Sequence, residues 1–162
     1  MITTSELAGF VAAHAVWSLS ESAGFAPFVA HITEDGERKL TRIMLDDTAA
    51  AIAAGREQLA SNPMDADDAV LVYDARLDTP DGKIDAVVVE MRCYAFPEAE
   101  ATIAVPYTPK GSGAFRVHQP TLARWQGCDD FDIDTAFQAF FHGIESHEQG
   151  AKVWNAALDE SR

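Results

Sequence analysis

Basic residues are scarce in this chain. Its 162 residues hold 12 Lys and Arg against 26 Asp and Glu, a formal net charge of −14. Nucleic-acid affinity rests on Lys and Arg that neutralise phosphates, and the only local basic group is Arg38, Lys39 and Arg42. This balance argues against nucleic acid as a partner, and against an anionic membrane surface for the same electrostatic reason. Cysteine is also sparse. Cys93 and Cys128 form no CxxC pair and match no Cys/His zinc spacing, so buried, reduced thiols of a cytoplasmic protein are expected. No Lys or Arg occurs from Met1 to Glu37, so the basic start of a signal peptide is missing. No apolar run approaches the ~20 residues of a membrane span. Fixed-period repeats, low-complexity tracts and interdomain linkers are lacking too, and one globular domain over residues 1–162 is expected.

What is present suits a packed core. Hydrophobic residues make up 48% of the chain, and the 9% of aromatics include three Trp. Such a chain buries roughly 70% of its unfolded surface without help from disulfides or metals.

Three helices are predicted. The first begins near Thr3–Ser5, where Thr3 and Glu6 have capping-box spacing, and ends near Ser22 before Gly24. The second is capped by Asp46 or Asp47 and runs through an alanine-rich stretch to about Ala60. Asn62-Pro63 stops it, because a residue before proline is pushed out of the α region. The third follows Asp129-Asp130-Phe131-Asp132, whose charges favour a helix start. It carries one apolar stripe of Ala136, Phe137, Phe140, Phe141 and Ile144, and another of Val153, Trp154, Ala157 and Leu158. Gly143 and Gly150 leave open whether it is one bent helix or two.

Between the helices the apolar period becomes that of strands. Phe25–Thr33 and Arg38–Leu45 flank an Asp35-Gly36 turn, and Ala69–Leu77 and Ile84–Phe96 flank Asp81-Gly82. Asp-Gly between such runs is a strong hairpin signal, since the turn needs positive φ. Pairing Leu77 with Ile84 sets Arg76 opposite Asp85. Val87-Val88-Val89 is apolar on both faces, which places that strand centrally. Ala101–Tyr107 and Ala114–His118 are shorter strands around a Pro106–Gly113 loop. The expected fold is α+β: an antiparallel sheet of about five or six strands, in the order α-β-β-α-β-β-β-β-α, with three helices covering one face.

Few residues carry a chemical signal. His142, Glu145, His147 and Glu148 gather in the third helix, but the two histidines stand five apart rather than at the i, i+4 spacing of helical zinc sites. A solvated helix surface explains them better. Asp130, Asp132 and Asp134 open like a calcium loop, yet Thr135 stands where glycine is needed and Phe141 where a bidentate Glu belongs. Helix capping accounts for these acids. Lys110-Gly111-Ser112-Gly113 lacks the full phosphate-loop pattern. His14 and His31 are isolated among apolar residues, and Cys93 falls in the central strand. Acidic neighbours raise the pKa of the Cys128 thiol.

No metal or cofactor follows from these motifs. Tyr107, Lys110, Arg116 and Trp125 are the strongest candidates for ligand or partner contact, because aromatic and cationic residues around a loop suit recognition. The reading of the sequence is an acidic cytosolic protein without enzymatic activity. It would bind a protein partner, or a second copy of itself as a homodimer, with complementary charge steering the encounter. The alternative is a small-molecule binder or enzyme with a pocket between the sheet and the C-terminal helix, using His142, Glu145 or His31.

Overall fold

The computed structural model describes residues 1–161 and contains a seven-stranded antiparallel sheet with four α-helices. The elements are α1 (Ile2–Glu21), β1 (Phe28–Ile32), β2 (Arg38–Arg42), α2 (Thr48–Ser61), β3 (Asp68–Thr79), β4 (Gly82–Cys93), β5 (Glu100–Thr108), β6 (Arg116–Val117), β7 (Thr121–Gln126), α3 (Ile133–Ser146) and α4 (Glu148–Ala157). A single 3₁₀ turn, Lys110–Ser112, sits in the loop after β5. The strands lie in the order β2-β1-β3-β4-β5, and β6 and β7 share the far edge of β5.

Both Asp-Gly turns form, with φ at +81° for Gly36 and +119° for Gly82. In the second hairpin Leu77 pairs with Ile84 and Arg76 with Asp85, as the pattern predicts. β4 lies inside the sheet, and Val87 and Val88 are buried on opposite faces.

Four expectations are corrected. The helices are four, because the last helical region breaks at His147, whose Nδ1 accepts from the Gly150 amide at 2.9 Å and so caps a new helix. The helices cover both faces. α1, α3 and α4 pack on one side, and α2 lies on the other, where Ala51 and Leu59 meet Val29, Leu71, Tyr73 and Val88. The strand order gains β7, whose inward residues Leu122 and Trp125 stand three apart. Adjacent Thr102 and Ile103 of β5 pair with Arg124 and Leu122, so Ala123 is an extra, bulged residue of β7 that breaks its period of two. Finally, α1 starts at Ile2 without a side-chain cap, so Thr3 and Glu6 form no capping box.

The main core lies between the sheet and α1. Leu7, Val11 and Val16 from the helix meet Val70, Val72, Val87 and Val89 from the strands, all essentially inaccessible to water. α3 runs beside α1 in the same direction, with Gly143 against the Glu6 carbonyl, and α4 follows with Gly150 against Ala13. The predicted stripe is turned accordingly. Phe140 and Ile144 are buried, whereas Phe141 is 42% exposed. Phe140, Trp154 and Ala157 fill the space between the sheet and the C-terminal helices. No helix among the described residues is long and apolar enough to cross a membrane.

Candidate functional site

The four residues expected to contact a ligand or partner are dispersed. Tyr107 is buried near the end of β5, and its hydroxyl donates to Asp74 at 2.7 Å. Burial pushes the Asp74 carboxyl up, and burial together with that hydrogen bond pushes the Tyr107 phenol up. Lys110 opens the 3₁₀ turn, exposed, with Nζ 3.5 Å from the Ser20 carbonyl. Arg116 is exposed on β6, which pairs with Tyr107 and Thr108. Trp125 pairs with Ala101, at the other end of β5, and its half-buried ring packs on the core. Six residues of strand separate Ala101 from Tyr107, roughly 20 Å, so Trp125 shares no surface with the other three.

The helical group of His142, Glu145 and His147 also divides. His142 and Glu145 face outward, with His142 Nε2 3.8 Å from Glu6 Oε1. His147 turns inward beneath α1, and its Nε2 lies 3.0 Å from Nδ1 of His14. Burial, the first cause for both rings, holds each below its ordinary value.

A different site forms where the starts of α1 and α3 meet the end of the sheet. Met1 before α1 and Ile2 at its start, Asp68 from β3, Cys93 from β4, and Phe131 and Asp132 before α3 line an open groove of about 430 Å³. Local chemistry fixes each part. Asp132 caps α3 through the Thr135 amide at 3.0 Å, and the Thr135 hydroxyl and amide hold its carboxyl below the ordinary value. The Thr4 hydroxyl donates to Asp68 and ties α1 to the sheet. Gly127 takes φ of +66° where a Cβ would stand 2.2 Å from the Glu98 carbonyl oxygen, so the loop before α3 rests directly on the turn after β4. Beneath it the Cys128 thiol is fully buried, and burial pushes its pKa up.

Hydrocarbon and negative charge meet at this end. Ile2 is 57% exposed, Phe96 44% and Ile133 40%, and the Phe96 ring packs edge-on against Phe131 at 4.9 Å. Asp68, half-buried, and the exposed Asp130 and Asp132 line the groove, and the exposed Asp67, Glu98, Asp129 and Asp134 lie in the segments that form it. The segments that converge here belong to stretches without Lys or Arg: Met1–Glu37, Glu57–Ala75, Cys93–Pro109 and Trp125–Ala151. The groove therefore presents apolar side chains among charged side chains of one sign. That suits a partner carrying apolar residues among cations. Sequence reasoning reached the acids of Asp129–Asp132 only as a helix cap. The signal that points to the groove is the shared absence of cations from four segments. Compared with known proteins, the chain matches no family model, no curated protein and no solved structure.

Proposed function

We propose that this chain is a protein-interaction module that takes a basic, amphipathic segment of a partner into the groove at the starts of α1 and α3. One observation carries the reading: Ile2, Phe96 and Ile133 stay exposed beside a groove ringed by carboxylates. Exposed apolar side chains of this kind mark contact surfaces when they cluster. The surrounding charge raises the encounter rate with a basic partner and rejects acidic ones.

Fluorescence anisotropy with a labelled amphipathic Leu/Lys peptide tests the reading. Asp67→Lys with Asp130→Lys reverses charge at the groove, and Asp46→Lys with Asp81→Lys makes the same change in net charge elsewhere. The groove pair should weaken binding by about tenfold or more, as should Ile2→Ser with Phe96→Ser, while the distant pair changes it by less than about twofold. Equal loss from both charge pairs would reduce the attraction to the bulk field of an acidic protein and sink the proposal, as would no binding at low salt.

A further inference from the structure

A second groove, separate from the acidic one, lies between α1 and the strands β1 and β2. It holds about 530 Å³ and is lined by His14, Ser18, Phe25, Phe28, Leu40 and Arg42, with no carboxylate among its lining residues. In a chain with 26 acids that exclusion gives the site a character of its own.

The protonation of His14 is set from outside the groove. The Gly150 amide lies 2.9 Å from Nδ1 of His147. An amide N–H can only donate, so Nδ1 of His147 is the acceptor and the proton of the neutral ring is on Nε2. That Nε2–H faces Nδ1 of His14 at 3.0 Å and must donate to it. The proton of His14 is therefore on its own Nε2. Burial, His147 and Arg42 each lower the His14 pKa, in that order, so the ring is neutral at pH 7. The helix cap of α4 thus fixes, through two rings, a donor on α1. That donor makes no hydrogen bond among the described residues, and Arg42 pairs with no carboxylate among them.

The groove accordingly offers one neutral N–H and one guanidinium; Ser18, whose hydroxyl donates to the His14 carbonyl at 3.1 Å, and Thr41 are its other polar residues, and the rest of its wall is hydrocarbon. The Phe28 ring meets His14 edge-on at 6.0 Å and Phe25 at 6.0 Å. We propose that it binds a small amphiphilic monocarboxylate, with the carboxylate between His14 Nε2–H and Arg42 and the aryl or alkyl body against Phe25, Phe28 and Leu40. A single positive charge matches a monoanion. A phosphate dianion would leave uncompensated charge on an already acidic protein.

Titrations with phenylacetate and hexanoate, followed by ¹H–¹⁵N spectra, test the proposal. Saturable shifts are expected at the amides of Phe25, Phe28, Leu40 and Arg42, and the relative affinities tell whether the body is aryl or alkyl. Phenylacetamide, the uncharged counterpart of phenylacetate, should leave these amides in place. Arg42→Gln, an exposed change, should weaken binding by about tenfold or more. Long-range ¹H–¹⁵N spectra should show His14 protonated at Nε2, and His147→Asn, which keeps a cap acceptor, should lose that single tautomer and bind more weakly. Three results overturn the proposal: no shifts up to about 10 mM of either acid, equal shifts with phenylacetamide, or binding indifferent to Arg42→Gln.

Discussion

Replacing Gly9 with alanine tests the packing of α1 on α3 most directly, because two general rules predict opposite signs. Alanine is the better helix former by about 1 kcal/mol, so propensity alone predicts a more stable protein. The structure predicts the reverse. A Cβ at Gly9 would sit 1.8 Å from the Phe140 carbonyl oxygen and 2.7 Å from its carbon, and one at Gly143 would sit 2.0 Å from the Glu6 carbonyl oxygen. Comfortable contact begins near about 3.5 Å. The helices must therefore part by roughly 1.5 Å, since the obstacle is backbone and cannot rotate away.

A gap of even ~0.5–1 Å forfeits a quarter to a half of each contact's attraction, and Phe140 and Ile144, buried beneath α3, would bear the loss. Overpacking costs about 1–3 kcal/mol and sometimes more. The rigid obstacle puts Gly9→Ala near the upper end, about 3 kcal/mol, or a melting temperature lower by ~6–12 °C for a chain of this size. Thermal and urea unfolding followed by circular dichroism give the comparison. Gly24→Ala, where an added Cβ meets nothing within 4 Å, should be neutral or slightly stabilising. Gly9→Ala with Gly143→Ala should cost less than the sum, because one parting of the helices accommodates both methyl groups. A Gly9→Ala chain as stable as the parent would refute the close approach of the two helices.

Two further outcomes follow from burial and protonation. His14 and His147 bind protons less readily than an unfolded histidine, whose value is 6.5. Below that value the unfolded chain takes up more protons, so their contribution to stability is full above it and is lost as the pH falls toward the lowered values. Urea unfolding should show a midpoint that drops from pH 7.5 to 5.5. The drop should shrink in His147→Asn, which keeps a cap acceptor without a titrating ring, leaving a residual slope from His14, still lowered by burial and by Arg42, and from His31, lowered by burial and by Lys39. All three tyrosines are pushed upward, Tyr73 and Tyr94 to about 12, with burial the first cause in each. At pH 10 an ordinary tyrosine is half ionised, whereas a group near 12 is about 1% ionised. Phenolate absorbance at that pH should be nearly absent in the folded chain and appear on adding denaturant; early ionisation would contradict the packing of these rings.

The parts of the fold that depend on neighbours in sequence were legible. Asp47 caps α2, and the second hairpin sets Arg76 opposite Asp85, because caps and tight turns are decided by a few adjacent residues. The misread parts depend on distant contacts. β7 escapes the alternation rule because it carries a bulge at Ala123, set by its pairing with Thr102 and Ile103 of β5. The break between α3 and α4 depends on a histidine cap whose ring is also held by His14, 133 positions away. Phe141 fits the apolar stripe of its helix, yet the glycine-led approach of α3 to α1 turns it outward. The acidic groove draws on four separate segments, so no local motif announces it. Its trace in the sequence is negative, a set of stretches from which cations are missing.

The two grooves ask for ligands of opposite charge on one small acidic protein, and the fold makes these demands compatible. Ile2 and His14 stand twelve residues apart on α1, roughly 18 Å along its axis. The screening length at physiological salt is about 8 Å. The carboxylates around Ile2 therefore exert little of their field at His14, where the donors in the groove wall decide what binds. Net charge governs the approach of a partner to the molecule as a whole, but side chains within a few ångströms set the chemistry of each site. For this reason a strongly acidic chain can still build a carboxylate-binding groove, provided that its acids are kept out of the lining and one cation is left unpaired.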